Sequence, residues 1–271
     1  MSINRKAVAA KDVRKELLPE QSIEVLKALH LLTRDGQLNA DARRKLKQVN
    51  HLVGLLQPGL DDRFAHCESP VLVDVGSGNA YLGFVLYELF FKERGEVVAV
   101  EQRAELSARA AERGRELGFS RLRFVTGEIG TAAYPAKIDI LCALHACDTA
   151  TDDALRVAVA HDADWVAVVP CCQAEVARQL KEARAPLFRT LAAHPLHRRE
   201  FGSHLTNVVR ALWLESHGYK VTVTELSGWE HSLKNELILG KRIQRSNAMA
   251  RAELEALLLA TGICPKLVQT S

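Results

Sequence analysis

The chain has 271 residues, 48% of them hydrophobic and 25% charged, enough for one large domain with an accessory segment and a substantial core. Ordinary apolar content and a formal charge of only +3 exclude a disordered, collagen-like or mucin-like polymer. No apolar run approaches the ~20 residues that span a bilayer, and the polar start Met1-Ser2-Ile3-Asn4-Arg5-Lys6 is not a signal peptide, so a cytoplasmic protein without membrane contact is expected.

The charge is unevenly spread. Residues 1–60 carry 11 basic and 6 acidic side chains, whereas the remainder carries 25 and 27. Within that basic segment, apolar residues at three- and four-residue steps predict a helix over roughly 13–32, broken at Gly36. A second helix is expected from Asp41, a candidate N-cap, to Leu56, stopped by Pro58-Gly59. Its basic face carries Arg43 and Lys47, four residues apart and so neighbours on the helix surface.

From about residue 70 the texture changes. Short apolar runs, Val71–Val75, Val97–Val100, Leu122–Val125, Ile138–Leu144 and Trp165–Val169, alternate with helical patterns near 81–92, 103–117, 151–160 and 173–184. Such alternation predicts an α/β fold with a parallel sheet covered on both faces. A loop-rich stretch is expected over Pro186 to Pro195, then a helix over His204 to His217. Two strands, Lys220–Leu226 and Asn235–Leu239, predict an antiparallel pair, and Ala248 to Ala260 a last helix. The expected organisation is a helical extension over 1–60, a catalytic domain over 61–245, and a helix and tail over 246–271.

The strongest local signal is Val71-Leu72-Val73-Asp74-Val75-Gly76-Ser77-Gly78-Asn79-Ala80-Tyr81, a strand entering a Gly-x-Gly turn from which a helix leaves. Glycines there let the backbone approach a ligand closely, and the end of the first strand is where doubly wound sheets bind adenosine cofactors. A dinucleotide fingerprint wants glycine where Tyr81 stands, and Asp74 before the turn would repel a pyrophosphate. The same carboxylate suits the cationic end of S-adenosylmethionine. Glu101, closing the second apolar run, is placed to accept from both ribose hydroxyls. Glu128, after the third run, is a candidate for the adenine amino group, or simply a helix cap.

The fourth run ends in His145-Ala146-Cys147-Asp148, followed by Thr151-Asp152-Asp153-Ala154-Leu155-Arg156; the fifth ends in Pro170-Cys171-Cys172-Gln173. These segments resemble the H-x-C-G…T-D-x-A-L-R…C-C-H/Y signature of one class I methyltransferase group. That group includes the eukaryotic tRNA acceptor-stem 2′-O-methyltransferases and related methyltransferase-like proteins. Ser232-Leu233-Lys234-Asn235-Glu236-Leu237 resembles the group's P-K-N-x-L-I element. Asp148 replaces the group's glycine and Gln173 its His or Tyr, and the zinc-binding clusters of the tRNA enzymes are absent.

The resemblance implies a Rossmann-like class I fold, seven-stranded and mostly parallel with an antiparallel C-terminal strand pair, using S-adenosylmethionine. It also implies RNA, tRNA or rRNA, as acceptor. His145, beside the cofactor, is a candidate general base for a hydroxyl acceptor. Cys147, Cys171 and Cys172 border the same crevice, either as buried packing groups or as the thiols of a pyrimidine C5 mechanism. Gln173, Lys234 and Asn235 join Arg43 and Lys47 as candidate substrate contacts. Methylation of a protein or small molecule, and a silent RNA-binding module, stay open as alternatives. The six cysteines form no C-x-x-C pair, adjacent Cys171-Cys172 chelates poorly, and no metal site is expected. No obligate protein partner is evident.

Overall fold

The computed structural model describes residues 13–144, 146, 148–170, 174–182, 186–226 and 236–269. Their strands form a seven-stranded sheet in the order β3-β2-β1-β4-β5-β7-β6. The strands are β1 (Val71–Val75), β2 (Glu96–Glu101), β3 (Leu122–Thr126), β4 (Ile140–Ala143), β5 (Trp165–Val168), β6 (Tyr219–Glu225) and β7 (Glu236–Arg242). β7 runs antiparallel to both β5 and β6, and β1–β2, β2–β3 and β4–β5 are parallel pairs. β4 and β5 are buried along their whole length, as expected of a strand covered on both faces. Among the described residues no helix is long and apolar enough to cross a membrane.

The chain divides into two compact units, Met1–Glu128 with Leu226–Leu233 and Ile129–Glu225 with Lys234–Ser271. In the first, the short helix α1 (Ile23–Ala28) is capped by Ser22, whose Oγ accepts from Val25 N at 3.1 Å. The long helix α2 covers Ala40–His66. Its N-cap is Asn39, with Oδ1 accepting from Ala42 N at 2.8 Å; Asp41 instead pairs with Lys45 one turn on. Nor does Pro58 end it. Proline inside a helix costs about 3 kcal/mol, but the turns around it bury Leu56 and Leu60, each worth about 1.5–3 kcal/mol. Burial prevails over the local breaker.

The helix expected near 81–92 is divided. α3 (Tyr81–Leu86) passes into a wide π turn over Tyr87–Phe91. That turn carries Glu88, whose side chain is sealed from solvent; its carboxylate accepts from Ser22 N at 3.2 Å, with Lys92 Nζ at 3.8 Å. The polar entrance of α1 is thereby anchored on the core. α4 (Ala104–Glu116) lies between β2 and β3, and Gly114 packs a would-be Cβ 3.0 Å from the Phe124 ring.

The second unit holds α5 (Thr149–Ala160), α6 (Glu175–Leu180), α7 (Pro186–Leu191), α8 (Pro195–Ser216) and α9 (Ala248–Thr261). The stretch expected as loop is thus largely helical, and α8 begins nine residues before His204. Proline explains both errors: Pro186 and Pro195 open helices, where the missing N–H has no intrahelical partner to lose. α6 and α8 touch at Gly202, where a Cβ would stand 2.7 Å from the Ala177 backbone. The chain after α9 is strapped down by Lys266, which pairs with Asp153 at 2.9 Å while its N–H donates to Glu175 at 2.8 Å.

Candidate active site

In the first unit β1 delivers Asp74 to the start of the glycine turn. Gly76 and Gly78 both take positive φ, +63° and +57°, conformations that favour glycine. The turn is pinned by Ser77 N donating to Val100 O at 3.0 Å. Ala80, the N-cap of α3, is also left-handed, at φ +55°. This strained alanine was missed from sequence, although it stands two residues after Gly78, where a third glycine would relieve it.

Glu101 ends β2 beside this turn. Its carboxylate accepts from Gly78 N at 2.7 Å and from Arg103 twice, backbone N at 3.1 Å and Nε at 2.7 Å. Partial burial works against ionisation, but the Arg103 and Gly78 bonds outweigh it and hold the carboxyl below its usual range. Asp74 is the opposite case. Burial pushes it up to about 7, opposed by the Gly83 N–H and reinforced by Glu101, and its buried Oδ2 has no hydrogen-bond partner. Tyr81 is half-buried at the first position of α3, and Glu128 is exposed, accepting from Gln102 Nε2 at 3.3 Å. The sequence-derived cofactor residues Asp74, Gly76, Gly78, Tyr81, Glu101 and Glu128 therefore lie within one compact unit.

These residues fit S-adenosylmethionine. A buried carboxyl with one unpartnered oxygen, which a cationic ligand would draw into its ionised form, stands beside the turn, two glycines leave the backbone open to close approach, and Glu101 is an ionised acceptor suited to a ribose diol. Arg103 was not foreseen; its guanidinium reaches within 3.8 Å of where a Gly78 Cβ would stand.

The second unit carries the ends of β4 and β5, paired through Cys142–Ala167 and Ala143–Val168. Asp148, which replaces glycine in the motif, has φ +50° and ψ −123°, a conformation strained for any residue with a Cβ. Three bonds hold it: its carbonyl accepts from Arg210 Nη2 at 2.8 Å and from Thr151 N at 3.3 Å, and its Oδ1 accepts from Ala174 N at 3.2 Å. Thr151 Oγ1 in turn donates to Ala146 O at 2.6 Å. Arg210 also binds Asp152 and Asn207, and Asn207 binds Glu236 at 2.6 Å. Burial pushes Asp152 above the ordinary carboxylate range, with the Arg210 charge and hydrogen bond pulling back.

His145, Cys147, Cys171, Cys172, Gln173, Lys234 and Asn235 lie outside the described residues. Arg43 is committed to Glu16, at 2.9 Å from both carboxylate oxygens, whereas Lys47 is exposed. Among the described residues Cys67, Cys142 and Cys264 form no disulfide, and no group is arranged to hold a metal ion.

The sheet, with one antiparallel strand inserted beside β5 and a glycine turn after β1, has the Rossmann-like class I methyltransferase fold. A family model described as a methyltransferase domain matches residues 44–179, and the chain belongs to that family. The match places a methyltransferase domain in this chain. Among curated relatives, the glutathione S-transferase C-terminal domain-containing protein of Bos taurus is 27% identical over 76% of this chain and 35% of its own. The Drosophila melanogaster homologue is 26% identical over 75% and 37%. The chain thus spans about a third of the length of the curated relatives it matches. Similar solved structures include a magnesium protoporphyrin IX methyltransferase from Synechocystis PCC 6803, with TM-score 0.48, 12% identity and coverage of 86% of this chain and 100% of that one. An rRNA methylase from Streptococcus thermophilus has TM-score 0.46 and 10% identity, over 71% and 96%.

Proposed function

We propose that this methyltransferase acts on RNA, tRNA or rRNA, and methylates a hydroxyl group, with His145 as the base. One observation carries the reading beyond the motif resemblance. Asp148, which follows the His145–Cys147 motif, is hydrogen-bonded to Ala174, which follows the Cys171–Gln173 motif. Two sequence elements that belong together in the resembled group are thereby tied at their ends.

In this reading S-adenosylmethionine, when bound, supplies an electrophilic methyl group. Glu101 and the Gly76–Gly78 turn orient its nucleoside end, and Asp74 complements its positive charge. A neutral His145 takes the hydroxyl proton as the new O–C bond forms, since a free hydroxyl is a poor nucleophile at neutral pH. The resemblance implies that Cys147, Cys171 and Cys172 border the acceptor, and Gln173, Lys234, Asn235 and Lys47 are the candidate substrate contacts.

The test is radiolabelled methyl transfer to total RNA and total protein from cells lacking the enzyme, followed by nucleoside analysis. A labelled 2′-O-methylnucleoside, lost in His145→Ala, supports the reading. Label in a C5-methylpyrimidine, with a covalent RNA adduct trapped when one cysteine is replaced, would transfer the chemistry to the thiols. Label in protein alone refutes RNA as acceptor. RNA binding without transfer points to a silent binding module.

A further inference from the structure

The second unit contains a cavity of about 410 Å³, within the ~300–1,000 Å³ of ordinary ligand clefts, lined from α6 by Ala177 and Arg178, beyond it by Lys181, and from the start of α8 by Arg198, Arg199 and Ser203. Asp148 also lines it, so the cavity adjoins the strained turn that follows the His145–Cys147 motif. Four cations therefore meet two carboxylates, Asp148 and Glu200, around one concave wall.

The carboxylates do not neutralise the cations evenly. Glu200 is taken up by Arg199, whose Nε and Nη2 both donate to it at 2.8 and 2.7 Å. Asp148 spends one oxygen on Ala174 N. Glu175, one turn back, acts on Arg178 electrostatically, but no salt bridge between Arg178 or Lys181 and a described carboxylate is formed, and being three apart the two share a face. Arg198 is half-buried and steadied by Nη1 donating to Ala192 O at 3.3 Å, which leaves its other donors unspent. The helices behind these groups pack closely where Gly202 meets Ala177, so the cations are carried on helices in contact.

We propose that this cavity binds a backbone phosphate of the RNA acceptor, with Arg178, Lys181 and Arg198 as its ligands. The inference rests on RNA as the acceptor and adds the place where the strand is held. Arginine offers paired donors to phosphate oxygens and lysine a mobile point charge, a combination suited to an anion whose orientation varies along a strand. Such contacts position the acceptor without reading its bases.

The test is fluorescence anisotropy of labelled bulk tRNA against the full chain over a range of KCl concentrations. Each neutralised phosphate contributes about −0.7 to −0.9 to the slope of log K against log salt. Arg178→Gln/Lys181→Gln should reduce the slope by about 1 to 2, weaken binding about tenfold at low salt, and raise the KM for RNA with kcat little changed. The charge-preserving Arg178→Lys/Lys181→Arg should retain the slope, and Lys220→Gln/Arg251→Gln, elsewhere on the unit, should behave as wild type. Melting curves confirm that each variant folds. If the wild type binds tRNA with a salt slope that the neutralised variant shares, the cavity assignment is overturned and the RNA reading stands. If the wild type binds no tRNA and labels only protein, both fall.

Discussion

Arg210 Nε lies 2.7 Å from the Asp152 carboxylate, with the two side chains only 1% and 3% exposed. Burying both charges is tolerable because Arg210 spends further donors on Asn207 and on the Asp148 carbonyl. Removing one partner of such a pair strands a charge in the interior, at about 3–5 kcal/mol. Arg210→Ala and Asp152→Ala should each lose that much in chemical denaturation, whereas Arg210→Met/Asp152→Leu should lose less than either.

Asp148 offers a sharper contrast. Its backbone conformation costs about 1–3 kcal/mol for a residue with a Cβ, while its side-chain bond to Ala174 returns about 1 kcal/mol. Asp148→Ala loses the bond and keeps the strain; Asp148→Gly loses the bond and sheds it. The glycine variant should be more stable than the alanine variant by about 1–2 kcal/mol, read from denaturation midpoints at constant slope. Equal stabilities would show that the turn relaxes when the side chain is cut.

A carboxylate has about four lone-pair sites, and Glu101 already fills three with Gly78 and Arg103 donors. A ribose diol brings two more, so Arg103 Nε must yield, and its exposed side chain can move freely. Calorimetric titration with S-adenosylhomocysteine should therefore show Glu101→Ala weakened more than about tenfold, the loss of charge-assisted hydrogen bonds of about 1.5–3 kcal/mol. Arg103→Met should bind as well as wild type or a few-fold better.

Asp74 links the site to pH. Its carboxyl titrates near 7 in the folded chain, against an ordinary value of 3.8. The folded state then holds a proton that the unfolded chain has lost, so stability falls as pH rises from about 4 to 7. Asp74→Asn should flatten that stretch of a melting-temperature profile. Affinity moves the other way: a cationic ligand prefers the ionised carboxylate, so S-adenosylmethionine should bind more tightly from pH 6 to 8, by at most about tenfold per unit. In Asp74→Asn that dependence should vanish.

The sheet and the glycine turn after β1 were legible because both are written locally. Continuous apolar runs such as Val97–Val100 announce buried parallel strands, and Gly76, Gly78 and Glu101 mark strand ends by type and spacing. Errors fell where packing or position overrode residue type, at Pro58 inside α2 and at Pro186 and Pro195 opening helices. Arg210 reads in sequence as one more surface cation, and only the fold brings Asp152, 58 positions away, to its side. Arg178 and Lys181 carried no motif; their signal is a cavity built from two helices.

β7 lies between β5 and β6 although it follows both in the chain. A nascent chain that has reached Glu225 holds a β6 segment with no sheet neighbour and a β5 edge with open N–H and C=O groups, the kind of edge that recruits stray strands. Among the described strands β6 pairs with β7 alone, so it has no sheet neighbour to join before β7 is made. Sheet completion therefore waits for translation through Arg242, after which the two strands dock together. Until then the β5 edge stays open to stray pairing.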